Sequence, residues 1–433
     1  MVSILVKRST LTGSVRCPSS KSYTHRAIAI ASLCPGNSRI TNSLLSRDTL
    51  ATIAGCRALG ASIKHTDTTV RITGREMLET PENVINTENS GTTIRILASV
   101  SSLVKEGFTI LTGDESLRKR PMQPILDGLR QLGVQAFSSR GNGTPPLVIK
   151  GGGMKGGFAE IDGSVSSQFI SGLLISGIFA QSAINLKIGG SLVSRPYISA
   201  TIATMQKFGV SIDHTHDMLR YDIKQGRYSP TAFDVPSDFS TAALILSAGA
   251  LAGGKVLVKG LDFNLPQGDS RIVDILRTMG CEIRLDAYSG KVQVSGSNDL
   301  LGGEFHLADT PDLLPVVSIL ALKARTPVTI RGVAHARVKE TDRVANIASE
   351  LKKLGAETKE FHDGLTITAP KKLRNASLEA YDDHRLFMAF TIAGMLTERS
   401  IVAGAESVDV SYPSFISDMV ALGGRLSQMP DRE

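Results

Sequence analysis

Six stretches of the chain share one shape, a short polar turn running straight into an apolar helix, and they start 69 to 75 residues apart. They are SSKSYTHRAIAIASL from Ser19, ENSGTTIRILASVSSL from Glu88, GSVSSQFISGLLISG from Gly163, PSDFSTAALILSAGAL from Pro236, ADTPDLLPVVSILAL from Ala308 and YDDHRLFMAFTIAGML from Tyr381. A second feature keeps step with the first. It is an amphipathic segment that ends in Gly ahead of a β-branched stretch, as in CRALGASI to Ile63, LRQLGVQA to Ala136, MQKFGVSI to Ile212, LRTMGCEI to Ile283, LKKLGAET to Thr358 and, more loosely, VALGGRLS to Ser427. Two separate marks in one register indicate true internal repetition.

Each repeat reads strand–helix–strand–helix–strand–strand. Its first helix is apolar nearly all round, as from Ala242 to Ala252, which places it in the interior rather than on a surface. Three such helices wrapped by sheets make a domain with helices at its centre. The 433 residues therefore predict an α/β protein of two domains, each of three βαβαββ units with buried helices, an inside-out α/β barrel. The boundary is expected near Tyr228 to Pro236. A continuous solenoid is disfavoured because the terminal units lack a polar capping character.

The residues suited to chemistry crowd into the turns before these helices, where unpaired N–H groups and the positive end of the helix dipole attract anions. Lys21 and Ser22 open the first helix, and Arg26 follows within two turns, ahead of the apolar AIAIASL. Asn89 and Thr92 offer caps to the second unit's helix, Gly91 lets a ligand approach the backbone, and Arg95 lies one turn on. Of the cations in GDESLRKRP, Arg120, beside the Pro, is the one expected to point inward, ahead of Arg118 and Lys119. Ser166, Ser167 and Gln168 supply neutral donors. Asp238 and Ser240 read as caps only. Asp309 and Asp312 precede the fifth apolar helix, Lys339, Glu340 and Arg343 fall in KETDR, and Asp382, Asp383, His384 and Arg385 open the sixth. An ordinary ion-pair ladder on a solvated face would also explain KETDR. Seven cations, Lys21, Arg26, Arg95, Arg120, Lys339, Arg343 and Arg385, come from both halves of the chain. Together they predict a cleft between the domains for a highly anionic small molecule, with Asp312, Glu340 and Asp48 as candidate proton-transfer groups.

Composition narrows the classes. A net charge of +7 favours anionic partners. No Trp and 5% aromatic residues argue against nucleic-acid binding by base stacking. The longest apolar runs, such as Phe169 to Ala180, fall short of the roughly 18 residues that span a bilayer. No signal peptide is evident, and Cys17, Cys34, Cys56 and Cys281 lack metal or redox spacing, so a cytoplasmic setting is expected. No His, Cys and carboxylate spacing suits a metal, and no Gly-x-Ser-x-Gly elbow is present.

SKSYTHR, ENSGTTIR, LTGDESLRKRPM, SVSSQF, RPYI, KETDR and DDHR, in that order, resemble the EPSP synthase family from Ser20 to Pro413. The resemblance implies two domains of three units each, with the chain start returning to the second, as 1–18 plus 233–433 and 19–232. It also implies transfer of an enolpyruvyl group from phosphoenolpyruvate to the 5-hydroxyl of shikimate 3-phosphate, with no metal or organic cofactor; a monomer is expected. Matched by motif, Lys21, Ser22, Arg26, Ser166, Ser167, Gln168, Ser194, Asp312 and Lys339 would hold shikimate 3-phosphate. Lys21, Gly91, Arg120, Gln168, Arg343 and Arg385 would hold phosphoenolpyruvate. Asp312, Glu340 and Lys21 would carry the proton chemistry. Val410 stands where the family often has Lys, which implies weaker phosphoenolpyruvate binding. The related transferase acting on UDP-N-acetylglucosamine is the alternative. It uses a Cys-bearing loop, and there is no Cys between Leu111 and Pro121.

Overall fold

The computed structural model of the chain describes residues 2–297 and 299–429. Its α-helices, in chain order, are Lys21–Ser32 (α1), Arg47–Ala58 (α2), Gly91–Val100 (α3), Gln123–Gln131 (α4), Ser167–Gly177 (α5), Arg195–Lys207 (α6), Phe239–Ala252 (α7), Ile272–Thr278 (α8), Leu314–Leu320 (α9), Arg343–Lys353 (α10), His384–Gly394 (α11) and Phe415–Ala421 (α12). The odd-numbered ones are the apolar helices of the six repeats. Every residue of α7 is buried, including Leu244, Ile245, Leu246 and Leu251, and each such aliphatic side chain contributes about 1.5–3 kcal/mol on burial. The even-numbered helices are half-exposed and end in glycine. Gly60 and Gly355 after α2 and α10 have φ of 102° and 98°, values open to a residue without a Cβ.

Among the described residues the strands form six sheets of four strands each. In one repeat the spatial order is Ile85–Asn86, Phe108–Thr112, Leu147–Lys150, Ala136–Ser138. The first pair, joined through α3, is parallel and the others are antiparallel. Among the described residues each sheet stays open and separate, so the expected barrel is not closed by strand pairing. What is inside out is the placement of the odd-numbered helices.

Three strands sit in sheets away from their sequence neighbours. Gly13–Arg16, just before α1, pairs in parallel with Lys255–Lys259, after α7. Ala232–Asp234, just before α7, pairs in parallel with Gly36–Thr41, after α1. Ser3–Lys7 lies between Arg399–Ala403 and Arg425–Gln428, completing the sixth repeat's sheet from the start of the chain. Accordingly the chain forms two compact units, Met1–Pro18 with Ser237–Glu433, and Ser19–Pro236. The expected division at 232/233 would cut through Ala232–Asp234 and part Phe233 and Asp234 from the strand they pair with. In the first unit α7, α9 and α11 pack against one another; in the second α3 packs on α5 and α1 on α2, α3 and α6.

Candidate functional site

In the unit 19–236, α1 starts at Ser20, whose hydroxyl accepts from Tyr23 N at 3.5 Å. Lys21 follows and pairs with Asp48 on α2 at 3.0 Å. The other carboxylate oxygen of Asp48 is buried with no hydrogen-bond partner among the described residues. Arg26 is 1% exposed and, among the described residues, donates only to neutral oxygens, Thr201 Oγ1 at 2.7 Å, Ser22 O and Tyr197 O at 2.9 Å, and Ser171 Oγ at 3.4 Å. Burial pulls its pKa down to about 10, so the guanidinium stays charged at neutral pH.

The cap of α3 is Ser90, accepting from Thr93 N at 3.2 Å, rather than the expected Asn89 or Thr92. Asn89 is otherwise engaged, since its oxygen accepts from Arg120 Nη2 at 2.8 Å and its amide donates to Asp114 at 2.7 Å. Thr92 Oγ1 accepts from Gln168 Nε2 at 2.8 Å, and Gln168 Oε1 accepts from Arg95 Nη1 at 2.8 Å. Arg120 is buried and its Nε has no partner among the described residues, whereas Arg118 and Lys119 are exposed. A Cβ on Gly91 would lie 2.9 Å from Arg120 Nη1 and 3.0 Å from Arg95 Nη1, so two guanidinium groups close over bare backbone. Ser166 caps α5 by accepting from Gln168 N at 3.3 Å, and Ser167 is buried behind it. Ser194, buried at the start of α6, has φ of 58°, uncommon for a residue with a Cβ.

The unit 1–18 with 237–433 holds a different kind of cluster, centred on Arg343, which is 1% exposed. Its Nε donates to Asp383 Oδ2 at 2.7 Å, its Nη1 to Asp312 Oδ1 at 2.9 Å, and its Nη2 to Glu340 Oε2 at 2.8 Å. The second Asp312 oxygen meets Arg385 Nη2 at 2.8 Å. KETDR therefore forms no solvated ladder, because its Glu340–Arg343 pair is largely buried and tied to two further carboxylates. Asp383 also caps α11, accepting from Arg385 N at 2.9 Å. Burial pushes the Asp312 carboxyl up, but Arg385, Lys339 and Arg343 outweigh it and hold it well below the usual carboxylate range. Burial likewise works against the Arg343 charge, and Asp383, Glu340 and Asp312 more than offset it.

Two residues absent from the expected set belong beside this cluster. His335 is 6% exposed, and its Nε2 has no hydrogen-bond partner among the described residues. Burial, then the Lys339 charge, bring its pKa down to about 3 against the pull of Asp312 and Asp309, so it is a neutral imidazole. Its spacing of four residues before Lys339 was the available signal. Asp269 is 3% exposed and accepts from the Ser240 hydroxyl, within the electrostatic reach of Asp312 and Arg385. The expectation that Asp238 and Ser240 serve only as caps therefore does not hold, since Ser240 donates to Asp269. Asp238 makes no side-chain cap bond and instead accepts from Thr241 Oγ1 at 3.0 Å. Val410 is buried at the end of a 3-10 turn, Ala405–Val410. Among the described residues no group of three or more His, Cys, Asp and Glu side chains could hold a metal ion, and no helix is long and apolar enough to cross a membrane.

Known proteins resemble the chain over nearly its whole length. The family model described as EPSP synthase (3-phosphoshikimate 1-carboxyvinyltransferase) matches residues 5–419. The chain is 47% identical over 421 residues to the 3-phosphoshikimate 1-carboxyvinyltransferase of Nitrosopumilus maritimus, covering 97% of this chain and 98% of that one. It is 44% identical to the protein of the same name from Korarchaeum cryptofilum, over 97% and 98% of the two chains. Among solved structures it resembles an EPSP synthase from Acinetobacter baumannii, with a TM-score of 0.83 and 27% identity over 99% of this chain and 100% of that one.

Proposed function

Because the chain belongs to the EPSP synthase (3-phosphoshikimate 1-carboxyvinyltransferase) family, we propose that it transfers the enolpyruvyl group of phosphoenolpyruvate to the 5-hydroxyl of shikimate 3-phosphate, releasing phosphate. The observation that carries this reading is a contrast between the clusters. One unit holds buried Arg26 and Arg120 without a carboxylate ion-pair partner among the described residues, and the other holds carboxylates gripped by arginines. The first suits anion binding and the second proton transfer. The two substrates together bring roughly −5 to −6, counting about −1.5 to −2 per phosphate and one charge per carboxylate.

Shikimate 3-phosphate is held by Lys21, Ser22, Arg26, Ser166, Ser167, Gln168 and Ser194, with Asp312 and Lys339. Phosphoenolpyruvate is held by Lys21, Gly91, Arg120, Gln168, Arg343 and Arg385. Glu340 gives a proton to the methylene carbon, the 5-hydroxyl oxygen bonds to the adjacent carbon, and the hydroxyl proton passes to Asp312. In the tetrahedral adduct the carbon–oxygen bond to phosphate then breaks, the new methyl group returns one proton to Glu340, and the proton taken up by Asp312 leaves with the phosphate, so both carboxylates are reset. Lys21 stays by the departing phosphate. Asp312 is a weak base while both its oxygens are paired with arginine. Substrate anions that take over Arg343 and Arg385 withdraw those charges, so the base strengthens when there is something to deprotonate. Four free, buried cysteines suit a reducing cytoplasm, and the chain acts as a monomer, which size-exclusion chromatography would check against 46.1 kDa.

The methyl stage supplies the test. In D2O with both substrates, a rotating methyl group exchanges hydrogens with solvent, so deuterium should appear on the vinyl carbon of the enolpyruvyl ether. An ether without vinyl deuterium contradicts addition–elimination. Ether formation on UDP-N-acetylglucosamine but not on shikimate 3-phosphate contradicts the acceptor.

A further inference from the structure

The unit 19–236 buries a titratable side chain that this chemistry leaves unused. His25, in the second turn of α1, has no exposed surface. Its Nδ1 lies 2.6 Å from Thr52 Oγ1 on α2, and Thr52 Oγ1 lies 2.6 Å from Thr93 Oγ1 on α3. Thr93 Oγ1 lies 2.7 Å from Ser90 Oγ, the hydroxyl that caps α3. An unbroken line of side-chain hydrogen bonds thus joins an imidazole to a helix cap through three helices, all of it buried.

One arrangement of protons satisfies the groups in this line. Thr93 Oγ1 also lies 3.4 Å from the Asp48 carbonyl, which is only an acceptor. A Thr93 hydrogen turned there leaves Thr93 accepting from Thr52, and Thr52 accepting from an Nδ1–H of His25. The Nε2 of His25, buried without a partner among the described residues, is then a bare lone pair rather than an orphaned N–H. Burial, then the charges of Lys21 and Arg26, hold this imidazole well below its ordinary range, consistent with a neutral ring.

The helices in the line carry the substrate-holding Lys21 and Gly91, and Lys21's ion-pair partner Asp48, at their starts. Lys21 lies four residues before His25, Asp48 four before Thr52, and Gly91 two before Thr93. That is about one helical turn at most, so a bond made there fixes where the start of the helix stands. Apolar packing would hold the helices together with some freedom to slide. Hydrogen bonds are directional and hold them in one register. We propose that His25 is a positioning residue: through Thr52 and Thr93 it locks the first turns of α1, α2 and α3 together and so fixes Lys21, Asp48 and Gly91 relative to one another. This role rests on the reading of Lys21 and Gly91 as substrate-holding groups.

Thr52 gives the cleanest test, because Val keeps its shape while removing the link and Ser keeps the link while losing a methyl group. Thr52→Val should lower kcat/KM for both substrates about tenfold to a hundredfold, with the melting midpoint near that of the unaltered enzyme, and Thr52→Ser should stay within about threefold. Equal losses in the two variants, or none in either, would reduce the position to packing and overturn the proposal. A readout independent of turnover is the 15N spectrum of His25 at neutral pH. A neutral ring protonated on Nδ1, whose signal shifts in Thr52→Val, is expected; an imidazolium or an Nε2-protonated ring would overturn the line of bonds. If the spectrum is as expected and the unaltered chain transfers no enolpyruvyl group, the assigned reaction fails and the hydrogen-bonded line does not.

Discussion

At the scale of residues, two carboxylates near Arg385, Asp269 buried and Asp312 partly buried, are driven in opposite directions. Asp269 is pushed up to about 7 from 3.8, by burial first and then by the Asp312 charge. Across that interval the folded chain holds a proton that the unfolded chain has released, so the contribution of Asp269 to stability falls as pH rises from about 4 to about 7. Asp312 has the opposite sign. Its folded pKa is depressed, so its contribution is present above the ordinary carboxylate range and is lost as pH falls through the low folded value. Asp269→Asn should therefore lose less stability than the parent between about pH 5 and about pH 8 in urea unfolding, and equal losses would contradict the shift. Val410 makes a second prediction. Val410→Lys should lower the KM for phosphoenolpyruvate about tenfold if a charge-assisted contact is gained, and an unchanged KM would show that no such contact is missing. The two residues overlooked in the sequence were overlooked for physical reasons. A lone His before KETDR and an Asp in QGDSR read as ordinary turn residues, and only the fold brings them within reach of Asp312.

At the scale of elements, the turn-and-helix repeat was legible because burial on all sides and glycine stops leave marks that depend on local sequence alone. α7 has no polar face to misread, and Gly60, Gly133, Gly209, Gly280 and Gly355 all have positive φ. Caps were less legible, since Asn89, Ser90 and Thr92 are all competent and tertiary partners decide which one bonds the helix. Close helix approach was not legible at all. Gly172 on α5 faces α3, and a Cβ there would lie 2.8 Å from the Arg95 carbonyl and 3.0 Å from Ser99 Oγ. Gly172→Ala should cost about 1–3 kcal/mol, despite the better helix propensity of Ala, and should loosen the Arg95–Gln168 contact. A gain in stability would show that α3 and α5 do not approach as closely as described.

At the scale of the whole molecule, the number of repeats follows from the sequence but their sheet partners do not. Gly13–Arg16 and Ala232–Asp234 trade sheets, and nothing local in GSVR or AFD names a parallel partner more than 190 residues away. The same holds for Ser3–Lys7, whose buried Ile4 and Val6 complete the last repeat between two other strands. Removing residues 2–8 should abolish amide-exchange protection over 377–428 while leaving 19–236 protected, and full protection in both would deny that strand its structural weight. Larger still is the claim that anion-binding arginines in one unit and arginine-held carboxylates in the other serve a single transfer. Phosphate release, followed by phosphorus NMR with phosphoenolpyruvate and shikimate 3-phosphate separately and together, tests it most directly. Release that requires both substrates and yields an enolpyruvyl ether is predicted; release from phosphoenolpyruvate alone, or none with both present, would contradict it.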